Sequence, residues 1–79
     1  MKNVIITGAA NGVGKAIANM LKEEKLILID IDENNLKQVA EETKSKYYIC
    51  DVSDDKQITN IIHDINKNYE KIDCLINCA

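Results

Sequence analysis

The sequence predicts an α/β fold, a doubly wound parallel sheet cut to βαβαβαβ, and three observations predict it. Short apolar runs rich in Ile, Val and Leu recur along the chain, stretches with helical spacing of apolar residues separate them, and the only three glycines cluster in one turn after the first run. Strand–helix–strand alternation implies parallel strands joined by right-handed crossovers. By analogy with open sheets of this kind the strand order is 3-2-1-4. The first two helices then lie on one face and the third on the other, with a ligand crevice at the switch between strands 1 and 4.

Each element has its own warrant. Val4-Ile5-Ile6-Thr7 is a β-branched run that reads as a buried strand, and Gly8, Gly12 and Gly14 end it before a helix begins. Val13, Ala16, Ile17, Met20 and Leu21 lay one apolar stripe along that helix. Leu26-Ile27-Leu28-Ile29, closed by Asp30, has the unbroken apolarity of a strand covered on both faces. Asp32 is a good N-cap for a second helix, with Glu33 in its first turn and Leu36, Val39 and Ala40 facing inward. Tyr47 to Cys50 forms a third strand, and a cap at Ser53 or Asp54 starts a third helix with the stripe Ile58, Ile61, Ile62, Ile65 and Tyr69. His63 falls off that stripe and is read as solvated, and Ile72 to Cys78 is the fourth strand.

Composition narrows the possible functions. Seventy-nine residues make one small domain, and a chain of this size buries only about 60% of its unfolded surface, so its stability is marginal without a partner. Hydrophobic residues are 46% and charged residues 29%, which is globular, and a net charge of -3 provides no field for nucleic acid or an anionic membrane. No apolar run is long enough to span a bilayer and no signal-peptide core is present, which points to a cytoplasmic protein. Cys50, Cys74 and Cys78 lack Cys-x-x-Cys spacing and have a single His63 for company, so they are read as buried reduced thiols on strands, not as metal ligands.

The strand–glycine turn–helix unit is suited to an anion. A helix N-terminus carries unpaired N–H groups and partial positive charge, and glycines let the backbone approach a phosphate. Gly8 takes the tight turn, Gly12 opens the helix start to the ligand, and Gly14 lets the helix pack closely on the sheet. Asp30 follows at the end of the second strand, at the distance where a carboxylate meets the ribose hydroxyls of a dinucleotide. A nucleoside-triphosphate P-loop is a second reading of Gly14-Lys15, with Asp30 as a Walker B acid. However, five residues separate Gly8 from Gly14, and Ala16 has no hydroxyl for Mg²⁺.

With Thr7 in front, the spacing Thr-Gly-x-x-x-Gly-x-Gly resembles the signature of the short-chain dehydrogenase/reductase family. Cys50-Asp51-Val52 looks like the family's segment after the third strand, and Ile72-Asp73-Cys74-Leu75-Ile76-Asn77-Cys78-Ala79 is similar to its Ile-Asp-x-Leu-Val-Asn-Asn-Ala-Gly. Four motifs in the right order over the whole chain weigh against the P-loop. The resemblance implies a Rossmann-like fold and the cofactor NAD, with Gly8, Asn11, Gly12, Val13, Gly14, Asp30, Ile31, Asp51, Val52, Asn77, Cys78 and Ala79 around it. Asp51 would accept from the adenine amino group, although it also has the position of a helix cap. Cys78 stands where the family has a second Asn, and the turn after the first helix is about two residues short of the family's usual length, with no glycine.

Asp30 favours NAD over NADP. Two unit charges ~4 Å apart at an effective dielectric of ~20 repel by about 4 kcal/mol, roughly a thousandfold against a 2′-phosphate. Asn11 is neutral where NADP-using relatives often carry a basic residue. The family's catalytic Ser and Tyr-x-x-x-Lys follow its fourth strand, and no Tyr-x-x-x-Lys occurs in this sequence. The implied activity is hydride transfer between NAD(H) and a carbonyl or alcohol substrate in a full-length parent, with residues 1–79 the N-terminal, catalytically incomplete half of the dinucleotide-binding domain. The alternatives are a stand-alone NAD-binding or sensing module, or a fragment whose exposed fourth-strand edge drives homo-oligomer assembly.

Overall fold

The computed structural model describes residues 1–78. Ala79, the last of the expected cofactor-binding positions, lies outside the described residues. The elements run β1 (Asn3–Thr7), α1 (Gly12–Met20), β2 (Lys25–Asp30), α2 (Glu33–Thr43), β3 (Lys46–Ile49), α3 (Asp55–Asn68) and β4 (Cys74–Asn77). All strand pairs are parallel and the order is β3-β2-β1-β4. Ile5 pairs with Ile27 on one side and Leu75 on the other.

Alternation along the strands divides the core into two. Val4, Ile6, Leu26 and Leu28 point to the face covered by α1 and α2, where they meet Ala18, Leu36, Val39 and Ala40. Ile5, Ile27 and Ile29 point to the other face and meet Ile65 of α3 and Cys50. Because β1 and β2 are central, both of their faces are covered, which is why their sequences read as unbroken apolar runs. Each fully buried Ile or Leu side chain contributes about 1.5–3 kcal/mol, so these two strands carry much of the driving force.

The stripe on α1 is rotated from the predicted one. Val13 and Met20 are 69% and 80% exposed, and Ala16 is exposed too. The inner face is Gly14, Ile17, Ala18 and Leu21. Close approach at Gly14 sets this rotation: a Cβ there would lie 2.1 Å from the Gly8 carbonyl oxygen, so only a glycine can occupy the point where the helix meets the turn. On α3, Ile58, Ile61, Ile65 and Tyr69 pack inward, while Ile62 is 40% exposed.

β4 is shorter than its sequence suggests. Asp73 takes the Asn3 N–H on its carboxylate at 2.8 Å and the Asn3 amide donates to the Lys71 carbonyl at 2.8 Å, so side-chain bonds fasten the chain before the ladder begins. The expectation of three buried thiols holds only for Cys50: Cys74 is exposed at the sheet edge and Cys78 is half-buried. β1 covers one side of β4 and nothing pairs with the other among the described residues. Among the described residues no helix is long and apolar enough to cross a membrane.

Candidate functional site

All the candidate residues that the structure describes sit at one end of the sheet, the end where the strands finish and the helices start. Gly8, Asn11, Gly12, Val13 and Gly14 form the turn from β1 into α1, Asp30 and Ile31 close β2, Asp51 and Val52 follow β3, and Asn77 and Cys78 close β4. Parallel topology alone brings three loops and the end of β4 together here, around the switch between β1 and β4.

The glycine turn is built for close approach. Gly8 and Gly12 have φ of 66° and 54°, a region that L side chains rarely adopt. A Cβ at Gly12 would meet nothing within 4 Å, so its backbone faces open space at the start of α1. The N-cap Asn11 does not cap that helix with its side chain, which leaves the first N–H groups of α1 available to an external acceptor.

Asp30 fastens this turn to β2. One carboxylate oxygen accepts the Ala10 N–H at 2.9 Å and the other the Asp32 N–H at 3.1 Å, which fixes the plane of the carboxylate. A carboxylate has about four lone-pair sites, so each oxygen retains capacity for one more donor, such as a hydroxyl. Asp32 caps α2 through the Asn35 N–H at 3.2 Å. It also accepts the Asn11 amide at 3.1 Å and the Asn35 amide at 2.7 Å. The Asn11 and Asn35 amides hold its carboxyl below the usual carboxylate range.

Beyond β3, Asp51 accepts the Ser53 N–H at 3.0 Å and the Ser53 hydroxyl at 2.6 Å, both on the same oxygen. Those Ser53 bonds lower its pKa. The cap of α3 is Asp54, which accepts from the Lys56 and Gln57 N–H groups, so Ser53 is not the cap. Val52 is 37% and Ile31 64% exposed, two apolar side chains flanking the carboxylates. At the far side the buried Thr7 hydroxyl donates to Asn77 Oδ1 at 2.7 Å and accepts the Cys78 N–H at 3.2 Å, tying the tips of β1 and β4. Among the described residues no cluster of His, Cys, Asp and Glu could hold a metal ion.

Asp32 and Asn35 were not site candidates from sequence. Their spacing signals a helix cap, and nothing in a linear pattern shows that the Asn11 side chain crosses to meet them. The residues present fit a dinucleotide: uncapped N–H groups and a glycine facing open space suit a pyrophosphate, and an oriented carboxylate suits a ribose. Such an arrangement is suited to binding and orienting an anionic, hydroxylated ligand.

A family model described as short chain dehydrogenase matches residues 2–79. An NADP-dependent 3-hydroxy acid dehydrogenase of Schizosaccharomyces pombe is 37% identical over 99% of this chain and 34% of its own length. Among solved structures, one described as ribose-5-phosphate isomerase from Brucella melitensis 16M is 31% identical with a TM-score of 0.93, covering 99% of this chain and 31% of that one. A 4-hydroxyisoleucine dehydrogenase complexed with NADH is 29% identical with a TM-score of 0.88, covering 100% of this chain and 34% of that one. The chain spans about a third of the length of the curated relatives it matches.

Proposed function

The chain belongs to the short-chain dehydrogenase family, and from that membership we propose that residues 1–79 are the N-terminal half of a Rossmann dinucleotide-binding domain that holds the adenosine and pyrophosphate of NAD. The observation that carries this reading is the joining of the glycine turn to Asp30, whose carboxylate accepts the Ala10 N–H at 2.9 Å. That bond sets an acid for the ribose hydroxyls beside the open helix start for the pyrophosphate. Asp51 and Val52 flank the adenine, and Asn77 and Cys78 line the far side. The P-loop alternative is not favoured, since Ala16 cannot serve Mg²⁺ and the family match runs through the whole segment.

Asp30 supports NAD over NADP, because a 2′-phosphate would meet a second negative charge at the ribose and Asn11 offers no cation to offset it. When bound, the nicotinamide supplies hydride chemistry toward a carbonyl or alcohol. The residues of this chain position the other end of the dinucleotide, and catalysis in the whole protein rests on residues outside this segment. We place the protein in the cytoplasm. The edge of β4 that no strand covers among the described residues, and Leu75, 63% exposed on that strand, favour pairing with a second copy of the chain.

Titrating NAD into the chain and into Gly12→Val tests the cradle. A side chain on the ligand-facing glycine should weaken binding more than tenfold, about 1.4 kcal/mol or more, and equal affinity removes the assignment. NADP should bind the unmodified chain far more weakly than NAD, with Asp30→Ala narrowing the gap; comparable affinities before substitution would take Asp30 away from the ribose. Sedimentation across a concentration series should show a dimer, and a folded monomer at micromolar concentration would contradict the edge pairing.

A further inference from the structure

Asn is among the strongest N-cap residues because its side-chain oxygen accepts an N–H two or three residues on. Asn11 occupies the N-cap position of α1 with extended backbone, φ -146° and ψ 166°, yet its side chain makes no capping bond. Its two polar atoms are used elsewhere. Asn11 Nδ2 donates to Asp32 Oδ2 at 3.1 Å, and Asn11 Oδ1, the atom that would cap α1, accepts from Asn35 Nδ2 at 3.3 Å. Asp32 and Asn35 are themselves joined at 2.7 Å and held by the α2 cap, where Asp32 accepts the Asn35 N–H at 3.2 Å. The triangle therefore has a fixed base on α2 and holds the Asn11 amide at both ends.

We propose that Asp32 and Asn35 are positioning residues for the cofactor turn: by engaging both ends of the Asn11 amide they withhold that side chain from its own helix and keep the α1 N-terminus open for a pyrophosphate group. The proposal rests on the cofactor reading above. A free Asn11 would rotate onto the N–H groups of Val13 or Gly14, and a pyrophosphate would then have to displace it. The clamp removes this internal competitor before the ligand arrives, so binding does not include breaking a capping bond.

The test releases Asn11 without uncapping α2. In Asp32→Ser/Asn35→Ala the Ser hydroxyl still caps α2, while both partners of the Asn11 amide are lost. Hydrogen exchange of the Val13 and Gly14 amides, measured without ligand, should slow in this variant as Asn11 turns onto them, and NAD should bind about fivefold more weakly, the worth of one helix-capping bond. Adding Asn11→Ala should return both readouts toward their starting values, a rescue that general loosening of the loop would not produce. Asn35→Ala alone, which leaves the Asp32 cap intact, should shift both in the same direction by less. NAD binding with unchanged exchange, or a triple variant as weak as the double, overturns the proposal. Absence of NAD binding to the unmodified chain overturns the cofactor reading itself and the proposal with it.

Discussion

At the C-terminal end of the sheet side chains tie the turn after β1 to the start of α2, whereas at the N-terminal end the segments around residues 22–26 and 42–46 border a concavity of about 720 Å³. This hollow has weak chemistry for an anion. Its walls include Lys22, Lys25, Lys44 and Lys46 beside Glu23 and Glu42, charges of both signs on exposed, flexible side chains. The opposite end has a glycine facing open space, helix N–H groups with no side-chain cap, and a carboxylate fixed by two backbone donors. A parallel sheet with crossover helices produces this asymmetry. Every helix begins where a strand ends, so positive dipole ends and unpaired N–H groups gather at one end, and helix C-termini gather at the other. For an anionic ligand, convergent donors decide the site and volume does not.

Substitutions at the two ends should separate them. The largest effect is expected from Gly14→Ala, since a Cβ there would lie 2.1 Å from a backbone oxygen of Gly8. The turn must shift, and urea unfolding should register a loss of about 1–3 kcal/mol together with weaker NAD binding. A variant as stable as the original would show that helix and turn are not in rigid contact. At the other end, Lys44 closes α2 with φ 54°, in the left-handed region, and its N–H reaches the Ala40 and Glu41 carbonyls. Lys44→Gly should raise stability by about 0.5–1 kcal/mol, because only the side chain opposes this conformation. Its NAD affinity should not change. The smallest effect is expected from Lys46→Glu, which reverses a charge on the concavity: NAD affinity measured by calorimetry should stay within about twofold, since Lys46 pairs with Ile27, roughly 10 Å of strand before Asp30 and beyond a Debye length of about 8 Å. A drop comparable with that of Gly12→Val would move the nucleotide to the wrong end of the sheet.

Much of this architecture was legible in the residues. Leu26 to Ile29 declares a doubly covered strand by its lack of alternation, the three glycines mark the turn, and Asp32 announces the start of α2. Local pattern was less informative where two segments compete for the same atoms. Of the expected stripe Val13, Ala16, Ile17, Met20 and Leu21, Ile17 and Leu21 pack inward and the other three face out; Gly14, Ile17, Ala18 and Leu21 have helical spacing too, and periodicity cannot choose between the two sets. Ile72 and Asp73 read as strand, whereas in the fold the Asp73 carboxylate takes the N–H of Asn3 and β4 starts at Cys74. Cys74 reads as a strand thiol, and only its place on an edge strand exposes it.

The sequence by itself determined the order of elements, the parallel sheet they imply, the helix starts and the glycine turn, because each depends on bonding and burial within a few neighbouring residues. Tertiary structure alone decided which side of α1 faces the sheet, since that depends on the distance between Gly14 and Gly8 across the turn. It also decided the direction of the Asn11 side chain. As an isolated N-cap, Asn11 would bond to its own helix; in the fold Asp32 and Asn35 lie within 3.3 Å of its amide, and a charged acceptor paired with a second amide outcompetes a neutral capping bond.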